Sequence, residues 1–150
     1  MNDHWQIASF AELTTAELYG VLQLRQEVFV VEQDSAYLDL DGLDQDAIHM
    51  LYKRGSGILA YQRCLAPGLK YPESSLGRIL VCQAMRGQQL GRELVERGIE
   101  HNLQHWPGHD ICISAQAHLQ GFYGSLGFVA EGEEYLEDRI AHRKMRYSAP

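Results

Sequence analysis

The chain has 150 residues, the length of one ordinary domain, so the sequence predicts a single domain over residues 1–150. Hydrophobic residues make up 45% and charged residues 22%, a globular composition that excludes a disordered or collagen-like chain. Thirteen lysines and arginines stand against twenty aspartates and glutamates, giving a net charge of −7, so binding to a nucleic-acid backbone is not expected.

Membrane and export signals are also lacking in the sequence. No run of apolar residues approaches the roughly twenty that a membrane-spanning helix needs. The opening residues MNDHWQIASF lack the basic and apolar stretches of a signal peptide. The sequence therefore predicts a cytoplasmic protein without a membrane partner.

Two patterns resemble metal sites, and neither meets the requirements of one. His101, His105 and His109 are spaced by four, but a Pro-Gly pair ends the helix before the third histidine. The aspartate-rich stretch that begins at Asp39 lacks the glycine and the glutamate of a calcium loop. No metal is therefore expected.

The first half of the chain is predicted to form a strand, a helix, an acidic loop and a hairpin. Thr14 followed by Glu17 is a capping box, and apolar residues at helical spacing continue to a helix end near Val30–Gln33. The acidic, turn-rich stretch EQDSAYLDLDGLDQDA follows the helix. Strands are predicted over Trp5–Phe10 and, joined by an RGSG turn, over His49–Lys53 and Ile58–Leu65.

The second half begins with a loop, APGLKYPESS, and an apolar strand, LGRILVC. The turn AMRGQQLG leads into an amphipathic helix over Leu90–Gln104, and a short helix over Leu119–Leu126 ends at Gly127. Further strands are predicted over Ile111–Ala115, Phe128–Glu131 and Arg143–Tyr147. The order β-α-β-β-β-α-β-α-β-β predicts an α/β (α+β) fold in which helices flank a mixed sheet.

The strand-to-helix turn around Gly87 has the features of a phosphate site. N–H groups at a helix start lack partners within the helix, and the helix dipole favours an anion there. Gly87 permits a close approach of the ligand, and Arg86 and Arg92 supply positive charge that suits a diphosphate. The turn lacks the Gly-Lys-Ser/Thr end of a Walker loop and the GxGxxG of a dinucleotide fingerprint. An ordinary tight turn with surface arginines is the alternative.

Two motifs on these elements resemble those of the GNAT acetyltransferases. The residues 86–91 read R-G-x-x-x-G after an apolar strand, which is similar to the family's coenzyme A diphosphate loop. The residues 122–128 resemble its F-Y-x-x-x-G-F signature. The segments LQLRQEVFVVEQ and AQAHLQGFYGSLGF are similar to the ElaA-type branch, and the resemblance covers nearly the whole chain. It implies the GNAT acyl-CoA N-acyltransferase fold, a mixed and mostly antiparallel sheet of about six to seven strands flanked by helices.

The resemblance also implies a reaction, the transfer of an acetyl group from acetyl-CoA to an amine by direct attack in a ternary complex. In the family, a backbone N–H of the strand before the turn stabilises the oxyanion, and this strand corresponds to Ile79–Val81. A tyrosine protonates the leaving thiolate, and Tyr123 matches that position. The alternative for Tyr123 is a ring that packs the short helix onto the sheet.

Further cofactor contacts follow from the same resemblance. Gln116 stands where many relatives carry an asparagine that holds the pantetheine arm, and Gln89 stands where the loop usually has glycine. The second departure bears on the shape of the loop. The implied cofactor-binding residues are Ile79, Leu80, Val81, Arg86, Gly87, Gln88, Gln89, Leu90, Gly91, Arg92, Gln116 and Tyr123.

Two residues are candidates for the base that takes a proton from the amine. Glu32 lies in the family-like V-F-V-x-E-Q segment at the end of the first helix, and His49 opens the next strand. The alternatives are a plain helix-end residue for Glu32 and a satisfied surface group for His49.

The acidic stretch after the first helix predicts a negative rim that attracts a cationic acceptor, with a solvated loop as the alternative. Arg25, Arg63 and Arg78 lie among apolar neighbours, and an arginine buried without a partner is costly. We therefore expect these arginines to pair with the acidic stretch, or to contact the acceptor or the cofactor.

The sequence leaves a second class of function open, a noncatalytic acyl-CoA-binding sensor or interaction module with the same fold. The homoserine-lactone synthases share the fold and a similar early V-F-V segment, but the chain length does not favour that activity. The acceptor, which is a small molecule or a protein, and the oligomeric state, a homodimer included, are not specified by the sequence.

Overall fold

The computed structural model describes residues 2–150, and its seven strands form one sheet in the order β1-β2-β3-β4-β5-β7-β6. Three α-helices flank the sheet, as predicted. The strands are β1 Asp3–Ser9, β2 Ile48–Arg54, β3 Gly57–Leu65, β4 Ser74–Val81, β5 Ile111–Gln116, β6 Val129–Glu137 and β7 Ile140–Tyr147. The helices are α1 Thr15–Arg25, α2 Leu90–His105 and α3 Gln120–Ser125.

The sheet is mixed and mostly antiparallel. Every neighbouring pair of strands is antiparallel except β4 and β5, which are parallel. These two strands pair at Ser74 with Ile111 and at Ser75 with Cys112, and then they part. The parting opens a cleft in the middle of the sheet.

Helix α1 lies on one face of the sheet, which we call the α1 face. Its start is the predicted capping box, in which the Glu17 N–H donates to Thr14 Oγ1 (3.0 Å) and the Thr14 N–H to Glu17 Oε1 (2.9 Å). Val21 and Leu24 of α1 pack against sheet residues that include Leu51. The helical path continues beyond α1 as a π-helical segment, Gln26–Glu32, and ends where the sequence predicts.

Helices α2 and α3 lie on the opposite face of the sheet, which we call the α2 face. The predicted apolar face of α2 is buried, with Leu90, Leu94 and Ile99 toward the sheet. Helix α3 ends at the predicted glycine, since Gly127 has a φ of +105° that favours glycine. In residues 2–150, no helix combines the length and the apolar character needed to cross a bilayer.

The last two strands are longer than the sequence predicts. They form one hairpin, β6–β7, around a turn at Asp138 and Arg139, both of which have a positive φ (52° and 67°). Two left-handed residues are typical of a tight hairpin turn, which usually contains asparagine or glycine. The sequence Asp-Arg contains neither of these residues. Charged residues at the strand ends also interrupt the alternation of apolar and polar residues by which a strand is predicted.

Two buried arginines and the half-buried Arg78 hold the acidic stretch against the α1 face, as predicted. Arg25 lies 2.9 Å from Asp39 and 2.7 Å from Asp44, and Arg63 lies 2.7 Å from Asp41 and 3.1 Å from Asp44. Arg78 adds contacts to Asp39 (2.8 Å) and Asp41 (3.5 Å). Three carboxylates therefore neutralise three guanidinium groups in a network that connects α1, β3 and β4.

Asp44 is the centre of this network, because its carboxylate contacts two arginines that are almost fully buried. Burial would raise the pKa of Asp44, but the hydrogen bond and charge of Arg25 and the charge of Arg63 outweigh it, so the pKa lies below its ordinary value. The stabilisation from Asp44 is therefore present above the unfolded-state pKa and is lost as the pH falls through the folded-state pKa.

We expect Asp44→Asn to lower the free energy of unfolding by about 3–5 kcal/mol, because it leaves buried guanidinium charge unpaired. Urea unfolding near neutral pH measures the loss. As the pH is lowered, the stability of the variant should fall less than that of the wild type, because the variant lacks the Asp44 carboxylate. The matched control is Asp46→Asn, which changes an exposed aspartate two residues away. Equal stability of the two variants would contradict the role of the network.

Candidate active site

The cleft between β4 and β5 contains a cavity of about 760 Å³. It is lined from the sheet by Leu76–Val81 of β4 and by Ile113, Ser114 and Gln116 of β5. The π-helical segment, the acidic stretch, α3 and the β6–β7 hairpin supply the remaining walls. The parting of two strands thus creates a site with access to both faces of the sheet.

A bulge in β4 accompanies the parting. Arg78 has a φ of +50°, and the pairing of β3 with β4 shifts register between Tyr61 and Arg63. A bulge bends its strand and increases the local twist. The Arg78 side chain is held on the α1 face by Asp39, so the ion-pair network supports the bent strand.

The three residues predicted to supply an N–H group to the oxyanion point their backbone groups in different directions. The Cys82 N–H donates to the Leu59 carbonyl of β3 (2.8 Å), so the preceding residue, Val81, presents its backbone groups away from β3. By the alternation of a strand, Ile79 also faces the cleft and Leu80 faces β3. Two of the three predicted N–H groups therefore face the cavity.

The predicted phosphate turn lies directly before α2 and contains two residues with a left-handed backbone. Gly87 and Gln89 both have a positive φ (80° and 63°), and α2 begins directly afterwards. The first hydrogen bond of α2 runs from the Glu93 N–H to the Gln89 carbonyl (3.2 Å), so the N–H groups of residues 90–92 have no partner within the helix. Gln89 thus adopts the backbone conformation that glycine favours, at the position where the family pattern usually has glycine.

Arg86 is bound to Glu32, which brings a predicted cofactor ligand together with a predicted base. The pair is bidentate, with Arg86 Nη1 at 2.5 Å and Nη2 at 3.0 Å from the two carboxylate oxygens. Arg86 Nε also donates to the Val81 carbonyl (3.1 Å). The hydrogen bond from Arg86 lowers the pKa of Glu32, which weakens this carboxylate as a base.

Two further predicted cofactor ligands are engaged with other side chains. Arg92 Nη1 donates to Ser125 Oγ (2.9 Å) at the end of α3, so its guanidinium joins α2 to α3. Gln116 lines the cavity, and its Nε2 donates to Gln33 Oε1 (3.1 Å) beside the π-helical segment. Gln116 is therefore placed to contact a ligand in the cleft, whereas Arg92 is directed toward α3.

Tyr123 packs the short helix onto the sheet and also lines the cavity. Its ring packs edge-on against Phe122 and Phe128, with centroid distances of 5.1 and 5.9 Å. The residue also lines the cavity, and within residues 2–150 its hydroxyl makes no hydrogen bond. Burial raises the pKa of Tyr123, so the phenol keeps its proton.

The structure does not bring His49 to the cavity. The ring is fully buried, with Nε2 at 2.9 Å from the Asp44 carbonyl and Nδ1 at 2.6 Å from the Tyr61 hydroxyl. A carbonyl only accepts, so Nε2 carries the proton and Nδ1 accepts from Tyr61. Burial lowers the pKa of His49. Both nitrogens are occupied, and His49 is a core residue rather than a base open to substrate.

Most of the acidic residues that were expected to attract a cationic acceptor are paired with arginines. Asp39, Asp41 and Asp44 are paired with arginines, and Glu32 is paired with Arg86. Paired charges produce a much weaker field than the six acidic residues of the sequence suggest. The acidic stretch is therefore bound to the sheet and α1 by ion pairs and does not form a negative rim.

Sequence reasoning missed a polar group at the end of the cavity that lies on the α1 face. Ser114 of β5, Glu137 of β6 and His142 of β7 all line this end. Ser114 Oγ donates to Glu137 Oε2 (3.2 Å), and His142 Nε2 lies 3.4 Å from the same oxygen. The three residues are distant in sequence and meet through strand register, so no local motif could have revealed them.

Comparison with known proteins identifies close relatives of this arrangement. The acetyltransferase (GNAT) domain family matches residues 26–149. Protein ElaA of Escherichia coli is 41% identical over 140 residues, which cover 92% of each chain, and its crystal structure superimposes with a TM-score of 0.89 over 97% of this chain and 99% of ElaA. An acyl-CoA N-acyltransferase from Pseudomonas aeruginosa is 44% identical, with a TM-score of 0.93 over 98% of this chain and all of that one.

A more distant similarity concerns the homoserine-lactone alternative. The AHL synthase LasI superimposes with a TM-score of 0.76, over 98% of this chain and 90% of that one, at 16% identity. Similarity at this level of identity shows a shared fold and nothing about the reaction.

The left-handed backbone of Gln89 leads to a prediction on stability. A side chain in this conformation costs about 1 kcal/mol, which Gln89→Gly removes, whereas Gln88→Gly adds only flexibility to the unfolded chain. We expect the free energy of unfolding of Gln89→Gly to exceed that of Gln88→Gly by about 1 kcal/mol in urea unfolding. An equal loss in the two variants would show that Gln89 is not strained.

Proposed function

The chain belongs to the GNAT acetyltransferase family, in its ElaA-type branch, and from this premise we propose that it transfers an acetyl group from acetyl-CoA to an amine of a small molecule or a protein. The family and the fold are those of acyltransferases. One observation carries the proposal: the Tyr123 phenol, the open edge of β4 and the Arg86 guanidinium line a single cavity. The description of the matching family as an acetyltransferase supports acetyl as the acyl group.

The residues of the cleft fit an acyl-CoA thioester. A diphosphate suits the N–H groups that precede Glu93, together with the Arg86 guanidinium. The peptide-like arm of coenzyme A suits the free edge of β4, where Ile79 and Val81 present backbone groups to the cleft. Gln116 supplies an amide from the opposite strand.

The residues around the cleft have distinct tasks in the transfer. The bound thioester supplies a carbonyl carbon that an amine can attack and a sulfur that can leave. The N–H groups of Ile79 and Val81 are the donors available to an oxygen that gains negative charge. The Tyr123 phenol, protonated and without a hydrogen-bond partner in the described chain, donates its proton to the departing sulfur.

Glu32 has a different task in this proposal from the one predicted. Its carboxylate occupies the Arg86 fork that a diphosphate would use, and Arg86 in turn covers the Val81 carbonyl at the strand edge. Binding of the cofactor therefore requires Arg86 to exchange Glu32 for the diphosphate. Glu32 holds Arg86 in place before the cofactor binds, and it competes with the cofactor.

This exchange is tested by the affinity for coenzyme A, measured by calorimetry. We expect Glu32→Gln to lower Kd about two- to fivefold, since an exposed ion pair is weak, and Arg86→Gln to raise Kd about tenfold. In the double variant the effect of Glu32→Gln should vanish, because it acts through Arg86. Glu27→Gln, an exposed change on the same helical segment, is the matched control. Additive effects in the double variant would contradict the exchange.

The proposed acid is tested by thiol release from acetyl-CoA with a panel of basic, neutral and acidic amines. We expect the wild type to turn over at least one amine, and Tyr123→Phe to lower kcat about 100-fold without a change in Kd for coenzyme A. Tyr19→Phe removes an exposed hydroxyl and serves as the control. Binding of coenzyme A without turnover of any amine would overturn the proposal in favour of a noncatalytic acyl-CoA-binding module.

A further inference from the structure

We propose that His142, positioned by Glu137, is the group that takes the proton from the acceptor ammonium. The inference rests on the proposed function and assigns the base that neither Glu32 nor His49 provides. The His142 side chain is about one-tenth exposed and lies at the end of the cavity on the α1 face.

The hydrogen bonds of His142 determine which ring nitrogen is free. Nδ1 lies 2.7 Å from the Ile140 carbonyl, and because a carbonyl only accepts, Nδ1 carries a proton. In the neutral ring Nε2 therefore has a lone pair. Within residues 2–150 the polar group near Nε2 is the Glu137 carboxylate at 3.4 Å, which is also an acceptor. A proton can satisfy both of these atoms, either when it resides on Nε2 or when an ammonium group that contacts both atoms supplies it.

Glu137 is oriented by a chain of hydroxyl groups. Ser114 Oγ donates to Glu137 Oε2 (3.2 Å), and the Tyr135 hydroxyl lies within hydrogen-bond distance of Ser114 Oγ. The Tyr135 ring also stacks on the His142 ring, with centroids 6.2 Å apart and an angle of 22° between the planes. The carboxylate and the imidazole are therefore held in a defined geometry by three neighbouring strands.

The proton transfer balances with the acyl transfer. An N–H bond of the acceptor R–NH₃⁺ breaks and an N–H bond forms at His142 Nε2, which leaves a lone pair on the amine. The lone pair forms the C–N bond, the C–S bond breaks, and the sulfur keeps its electron pair. The nitrogen of the tetrahedral intermediate loses a second proton as the amide forms. Tyr123 gives its own proton to the sulfur, and the second amine proton returns to the phenolate through solvent. The net reaction yields an amide, a thiol and one proton, which His142 releases to solvent.

Other charged groups line the same cavity as this pair. They are Lys70 in the loop before β4, Arg78 of β4, His118 after β5 and Asp138 in the hairpin turn. Glu32 and Asp41 line its other walls but are held by arginines. Glu137 is thus the carboxylate beside Nε2, and its charge favours the entry of an ammonium group.

His142→Asn tests the proposal, because the asparagine amide can still donate to the Ile140 carbonyl while the lone pair at Nε2 is lost. With an amine that the wild type acetylates, we expect kcat at neutral pH to fall about 100-fold, with Kd for coenzyme A unchanged within twofold. The acidic limb of kcat/KM, which reports the base of the free enzyme, should disappear. His109→Asn makes the same change at an exposed position outside the cavity and should leave kinetics unaltered.

Glu137→Gln tests the positioning role separately. We expect a rise of about tenfold in KM for the amine and a shifted acidic limb, whereas a merely structural role would leave the pH profile unmoved. A second measurement needs no turnover: long-range ¹H–¹⁵N correlation of the wild type should show the Nδ1–H tautomer for neutral His142.

The outcomes separate this inference from the proposed function. An active wild type together with an active His142→Asn variant, or an Nε2–H tautomer, overturns the role of His142 and leaves the acyltransferase function intact. A wild type that binds coenzyme A but acetylates no amine overturns the proposed function and this role with it.

Discussion

The parting of β4 from β5 after two residue pairs is the constraint on which the site depends. If these two parallel strands stayed paired, their backbone groups would hydrogen-bond to each other, and no opening would connect the two faces of the sheet. Once they part, β4 keeps its bonds to β3 on one side and offers an open edge on the other. A ligand that enters from the α2 face can then meet one that enters from the α1 face.

The ion-pair network holds β4 at the bulge beside this parting. Arg78 lies at the bulge of β4 and is held by Asp39, and the same aspartate contacts Arg25 of α1. Asp44 joins Arg25 to Arg63 of β3. A buried arginine lowers the stability of the fold when it has no partner, and its ion pairs fix the position of the segment that supplies the partner. The acidic stretch therefore contributes to the shape of the cleft rather than to its charge.

The cavity divides its chemistry between the two faces of the sheet. Strand alternation places Ile113 on the α2 face with Tyr123, whereas Ser114 lies on the α1 face with Glu137 and His142. A proton donor for the leaving group and a proton acceptor for the incoming amine would thus lie on opposite sides of the reacting carbonyl. Such a separation keeps two groups of opposite function from neutralising each other.

The amino-acid sequence by itself determined the features that depend on neighbours in the chain. The capping box at Thr14, the glycine turns, the buried face of α2 and the phosphate turn are local, and the order of elements then implied the fold. The place of Tyr123 also followed, since a contiguous motif carries it. Only the tertiary structure decided that His49 is sealed in the core, that Glu32 is held by Arg86, and that Glu137 meets His142. These outcomes depend on strand register, on which face a side chain takes and on which charges become partners, and contacts between distant segments settle all three.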